Sequence, residues 1–164
     1  MTFIPAQKTL ITELDIVRSI KSAYQLLFPN KFCSIDTISI LAAQIFLECG
    51  RGKMCYNYNL GNIKQTKDHD YTMYRCSEYI NGILIYFDPP HPQTKFNAYP
   101  SLLDASVEHL RFLSRPRYSL ALEQAHRGFN LEFCIELKKA GYFTDYLAHY
   151  SKAMNSLFNE IRVK

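Results

Sequence analysis

Residues 34–62 read SIDTISILAAQIFLECGRGKMCYNYNLGN. Ser34 is a residue type that caps helix N-termini, and after it Ile38, Leu41, Ala42, Ile45 and Cys49 recur at i, i+3, i+4, i+7 and i+11. That stripe predicts a helix deep enough to lie at the centre of a core. Gly50 and Gly52 stop it, and CYNYNLGNIK, rich in Asn and Tyr, reads as a loop followed by a short turn. Glu48 falls in the last helical turn, and at about 100° per residue it lies on the side of Leu41 and Ile45 rather than opposite them.

Upstream, roughly Thr9 to Phe28 places Leu10, Leu14, Val17, Ile20, Tyr24 and Leu27 at helical spacing, closed by Pro29 and Asn30. Downstream, Tyr71 to Phe87 is rich in β-branched and aromatic residues around Asn81-Gly82, the dipeptide suited to a two-residue hairpin turn. Pro89, Pro90 and Pro92 make an extended connection. Helical patterns then return in SLLDASVEHLRFL, from about Pro116, in NLEFCIELKKAG, and from about Leu147. Helices around one small hairpin predict an α+β, mainly α fold, and the absence of repeats and linkers predicts one domain over residues 1–164.

The chain is 48% hydrophobic and 14% aromatic, with 12 Tyr, 11 Phe and no Trp, so much of its aromatic surface carries a hydroxyl that suits a polar ligand such as a sugar. The net charge of +4 favours polyanions or an anionic envelope in general, but Lys and Arg are dispersed without a basic stripe, and nucleic-acid binding is not expected. No apolar run is long enough to span a membrane. MTFIPAQKTL lacks the basic and apolar regions of a secretory signal, so the expectation is a signal already removed or export by another route. The five cysteines, Cys33, Cys49, Cys55, Cys76 and Cys134, contain no C-x-x-C pair and read as buried thiols, without a metal site or cofactor. Cys49 sits at a helix C-terminus, where the dipole opposes a thiolate, and His126 and His149 have no partner by spacing, so Cys-His catalysis is set aside.

Two carboxylates stand in costly places. Partial burial and the negative end of the helix dipole both push the Glu48 pKa upward. A carboxylic acid still protonated near neutral pH is what cleavage of a glycosidic bond requires, because the leaving oxygen must take a proton as the bond breaks. An ordinary solvated glutamate has the same spacing, and position alone leaves both readings open. With Asn81-Gly82 as the turn, Ile80 faces Ile83, Glu78 faces Ile85 and Cys76 faces Phe87, so Glu78 interrupts an apolar surface. That is costly unless the charge is paired, exposed at a cleft edge or used in chemistry, whereas a one-residue register shift turns it harmlessly outward.

The segment AAQIFLECGRG followed by YNLGNIK resembles the helix-end Ala-Leu-Glu-Ser-Gly and the Asn-Leu-Phe-Gly-Ile-Lys loop of the peptidoglycan glucosaminidases of glycoside hydrolase family 73. CSEYINGI, FNAYPSLLDASVEHLRFLSRPRY and AGYFTDYLAHYSKAM resemble that family's hairpin, its Phe-Arg-x-Tyr segment running to Arg-Tyr, and its Ala-Gly-Tyr-x-Thr segment, in the same order. The resemblance covers roughly Ser34 to Phe158 and implies a lysozyme-like α-lobe with a small β-hairpin lobe. It implies Glu48 as the acid, Glu78 as the hairpin carboxylate and Tyr150 as the active-site tyrosine, with Tyr146 a possible substitute. Asn57, Tyr58, Asn59, Asn62 and Tyr99 are expected to line the cleft, with local turn formation as the competing account of the Asn-rich stretch.

What the resemblance implies is a monomer acting on peptidoglycan glycan strands of the cell wall, periplasmic or secreted. Cys49 stands where the family has Ser, and LGN where it has LFG, which leaves open a muramidase or lytic transglycosylase cutting the same polymer. A non-catalytic glycan-binding or envelope-assembly module is the alternative from another class.

Overall fold

The computed structural model describes residues 1–80 and 82–163. Helix α2 (Ile35–Glu48) is its centre, and every residue from Thr37 to Phe46 is buried. Ser34 caps it as the sequence predicts, its hydroxyl accepting from the Thr37 N–H at 3.0 Å. Helix α2 packs against α1 (Glu13–Leu27), α4 (Ser119–His126) and α6 (Leu147–Arg162), while α3 (Leu102–Leu113) lies on α1 and α5 (Asn130–Lys139) on α4 and α6. One hydrophobic cluster runs through all six helices, from Ile16 to Ile161.

The first helix starts later than its apolar spacing suggests. Thr12 is extended and forms a capping box with Asp15, which fixes the start at Glu13. The preceding residues are a strap: Thr9 N–H donates to the Cys55 carbonyl at 2.9 Å, and the Thr9 hydroxyl accepts from Tyr58 N–H at 2.9 Å. The buried face of α1 is consequently Ile16, Ile20, Ala23 and Tyr24, while Leu10 and Leu14 are 92% and 55% exposed. Sequence spacing places Ile20 and Tyr24 correctly and Leu10 and Leu14 wrongly: Leu10 falls in the strap ahead of the cap, and the buried face of the helix runs through Ile16 and Ala23 rather than Leu14.

The β region holds more than one hairpin. Strand β1 (Tyr71–Met73) pairs antiparallel with β4 (Lys95–Asn97), and β2 (Cys76–Ile80) pairs with β3 (Ile83–Phe87) in a separate two-stranded sheet. In that second sheet Cys76 faces Phe87, Glu78 faces Ile85 and Ile80 faces Ile83, the register expected from the sequence. The turn residue Asn81 lies outside the described residues. Strand β4 carries a long-range partnership that no local pattern announces, since Lys95–Asn97 is short and follows a proline-rich connection.

Leu41 is fully buried on α2. Leu41→Ala is expected to lower stability by about 2 to 5 kcal/mol, the usual range for such a truncation in a packed core, measured by urea or thermal unfolding.

Candidate active site

Helix α2 ends where the core ends. Leu47 and Glu48 are the first residues of its last turn to be partly exposed, and the Glu48 side chain enters a groove of about 600 Å³ between the helix end and the β2–β3 hairpin. Glu48 also borders a second groove, of about 430 Å³, that runs towards the α3–α4 turn past Thr66, Phe112 and Tyr118. The two grooves share Glu48, Asn62 and Lys64, so the carboxyl group stands at the junction of a two-armed cleft.

Burial of the Glu48 carboxyl raises its pKa from 4.5 to about 7, and a hydrogen bond from the Tyr142 hydroxyl opposes that rise by stabilising the carboxylate. Burial, then the Glu48 charge, hold the Tyr142 phenol well above its usual range, so it is a fixed donor. Tyr142 is the Tyr of AGYFT. Residue-by-residue reasoning missed it, although the motif that carries it was in view. Tyr150 lies behind this pair on α6, its ring stacked on Phe143 at 3.8 Å and its buried hydroxyl without a hydrogen-bond partner among the described residues. The Tyr150 phenol is also raised, by burial first and by the Glu48 charge second, which places the two side chains in one electrostatic neighbourhood.

Asn62 ties the helix end to the hairpin side. It has φ 48°, a left-handed conformation that Asn tolerates better than most residues. From there its Nδ2 donates to the Glu48 backbone carbonyl at 2.8 Å, satisfying an orphan acceptor of the helix C-terminus, and its Oδ1 accepts from the Tyr74 hydroxyl at 3.1 Å. Tyr74 stacks between Tyr56, at 4.7 Å, and Phe96, at 4.2 Å. On Phe96 sits the Lys64 ammonium, 4.2 Å from the ring centroid, which also reaches Glu78 at 2.9 Å and the Gln93 carbonyl at 2.6 Å.

Glu78 thus lines the same groove as Glu48, from the opposite wall, and is 43% exposed and paired. The sequence-level anomaly of a carboxylate on an apolar strand face is resolved by Lys64.

The remaining candidates do not gather at Glu48. Asn59 is fully buried, its Nδ2 donating to the carbonyls of Ile63 and Asn97 at 2.9 Å and its Oδ1 accepting from Ile63 N–H at 2.8 Å. It shapes the loop. Asn57 holds the N-terminal strap through Gln7 N–H and the Pro5 carbonyl. Asn57, Tyr58 and Tyr99 line a separate groove, none of whose lining residues belongs to the cleft at Glu48. Turn formation, the competing account of the Asn-rich stretch, describes Asn57 and Asn59; Asn62 does both jobs. Among the described residues no cluster of His, Cys, Asp and Glu could hold a metal ion.

Linkage gives the site a stability signature. Glu48 ionises near 4.5 when unfolded and at about 7 when folded, so the folded chain holds the proton more tightly between those values. Stability should fall as pH rises through this window, by up to about 3 kcal/mol once above it. Glu48→Gln keeps the shape and removes the charge, so its Tm should exceed that of the wild type at about pH 8 and match it at about pH 4; equal Tm values at the higher pH would contradict a buried acid. Tyr142→Phe should move the Glu48 titration, followed by carboxyl-selective NMR, to higher pH, because the lost hydrogen bond favours the ionised form.

No family model matches the chain, and no curated protein matches it in sequence. Its fold does match solved structures. The C-terminally truncated glycoside hydrolase domain of Salmonella typhimurium FlgJ aligns at TM-score 0.63 and 23% identity, over 93% of this chain and 99% of that one. A peptidoglycan hydrolase mutant from Sphingomonas sp. A1 aligns at TM-score 0.68 and 24% identity, over 90% of this chain and 95% of that one. The catalytic domain of the autolysin Auto from Listeria monocytogenes aligns at TM-score 0.65 and 20% identity, over 96% of this chain and 88% of that one. The chain has the fold of these domains, the mainly α, lysozyme-like arrangement with a small β lobe that the motifs implied.

Proposed function

We propose that this protein is a family 73 type hydrolase that cleaves the β-1,4 glycan backbone of peptidoglycan, as an endo-N-acetylglucosaminidase, with Glu48 as the general acid. The observation that carries the reading is a half-buried carboxyl, raised to about 7, at the junction of two groove arms. A linear polymer crossing that junction presents one interior bond to the acid. The solved structures that share the fold are described as a glycoside hydrolase domain, a peptidoglycan hydrolase and an autolysin, which supports the same substrate.

In this mechanism Glu48 donates its proton to the glycosidic oxygen as the bond breaks, and Tyr142 holds the carboxyl group in place and steadies the carboxylate that is left. Glu78 on the facing wall, its carboxylate held by Lys64 at 2.9 Å, activates water or stabilises the oxocarbenium-like charge. The N-acetyl group of the sugar itself is the alternative source of that stabilisation. Tyr150, whose hydroxyl is buried behind the acid and lines neither arm, acts through Glu48 rather than on the sugar, and Asn62 completes the floor of the cleft. The whole chain would serve as one catalytic domain, monomeric, on the wall side of the membrane; among the described residues no helix is long and apolar enough to cross a membrane.

Digestion of purified peptidoglycan with mass spectrometry of the products tests this directly. Wild type should release fragments with reducing-end GlcNAc, with activity declining as pH rises through about 7 because the proton donor is lost, and Glu48→Gln should lower release at least about 100-fold. Reducing-end MurNAc would reassign the bond to a muramidase, anhydro-MurNAc to a transglycosylase. Equal release by wild type and Glu48→Gln would overturn the catalytic reading in favour of a binding module.

A further inference from the structure

The two arms of the cleft differ in charge. At the junction Lys64, which borders both arms, is held by Glu78 and the Gln93 carbonyl, and on the hairpin side Arg75 pairs with Asp88 at 3.4 Å. On the α3–α4 side the arm holds Arg115, exposed in the turn that follows α3. Its guanidinium lies 5.0 Å from the Phe112 ring centroid, and among the described residues no carboxylate pairs with it. The nearby Glu108 is taken by Arg111 at 2.5 Å and His69 at 3.3 Å. Apart from Glu48 at the junction, nothing acidic lines this arm. His109, its only histidine, is buried against Gln44 and stays neutral.

The arm is therefore lined by the partly exposed Phe112, packed on the buried Tyr118 with ring centroids 4.8 Å apart, beside one unopposed guanidinium. Aromatic faces suit sugar rings in general, whereas a planar guanidinium without a partner suits a carboxylate, which it can engage through two N–H donors. In a strand of alternating sugars, only the muramic acid residues carry such a group, either as the free lactyl carboxylate or as carboxylates of the peptide stem attached to it.

We propose that the α3–α4 arm seats the carboxylate-bearing sugar of the strand and that Arg115 reads its acidic substituent, so that this arm sets which way the polymer lies across Glu48. This rests on peptidoglycan being the substrate and deepens that reading, since it gives the cleft a polarity that the hairpin arm, with its cations paired, does not supply.

The test uses the full chain in a Glu48→Gln background, so that ligands are bound and not cut. Titration calorimetry compares a stem-bearing GlcNAc-MurNAc tetrasaccharide, the same tetrasaccharide freed of its stems, and neutral chitotetraose. Arg115→Ala should weaken binding of the acidic ligands roughly 10-fold and leave chitotetraose unchanged, while Arg115→Lys restores part of the loss. Added salt should weaken the acidic ligands alone.

A loss confined to the stem-bearing strand assigns the peptide carboxylates, a loss confined to the stem-free strand assigns the lactyl group, and a loss on both shows that either is accepted. Unchanged binding of both acidic ligands, no binding of either, or an equal loss on chitotetraose overturns the proposal. Muropeptide release by wild type against Glu48→Gln is read separately. Equal release removes the catalytic role of Glu48 and leaves the Arg115 result standing.

Discussion

The structure depends on a helix that is buried along its length and opens only at its last turn. From Thr37 to Phe46 no side chain of α2 reaches solvent freely, so the helix is fixed on all sides by α1, α4 and α6. Glu48 is the first acidic side chain after that buried run, and it inherits the rigidity of the core. A charge could not be carried further back along α2 without a partner, and further forward it would be solvated. At this boundary burial alone holds the group near 7.

The helix end needs the rest of the molecule to be closed. The loop after α2 passes through left-handed conformations at Gly50, Arg51, Gly52, Asn57, Tyr58 and Asn62. Non-glycine residues keep such conformations only when surrounding contacts fix them. Arg51 is held by Glu13 of α1 at 2.8 Å and Glu160 of α6 at 2.5 Å, and Asn57 by the strap. Gly61 passes so close to His109 that an added Cβ would lie 3.1 Å from its Nδ1. The reward of this folding is Asn62, whose amide meets the Glu48 carbonyl on one side and Tyr74 on the other.

From Asn62 a continuous path of contacts reaches the hairpin: Tyr74 on Phe96, Lys64 over Phe96, Lys64 to Glu78. The Glu48 backbone and the Glu78 carboxylate are thereby joined by contacts through packed rings and one ammonium group, although they come from different layers of the fold. Among the described residues the hairpin is also joined at its base by Cys76 to the Gln93 carbonyl, at 3.2 Å, and by Phe87 stacked on His91, at 4.5 Å. Among the described residues Ile80, Ile83, Leu84, Ile85 and Tyr86 are exposed, and its base, at Lys64 and Cys76, is an anchored end.

The sequence by itself determined α2, its Ser34 cap, its stop at Gly50, the position of Glu48 on the core side, and the pairing of Glu78 with Ile85, because periodicity, caps and turn residues act over a few positions. Its motifs also implied the fold class that the solved structures share. Only the tertiary structure decided what those residues do together. It withdrew Leu10 and Leu14 from the core through a cap and a strap, paired β1 with β4, and turned Asn57 and Asn59 into loop supports while sending Asn62 to the acid. It also brought Tyr142, distant in sequence, onto Glu48 and gave Glu78 its lysine. Most of these rest on groups distant in sequence, met through backbone as well as side chains, and local spacing carries no record of which distant group will arrive.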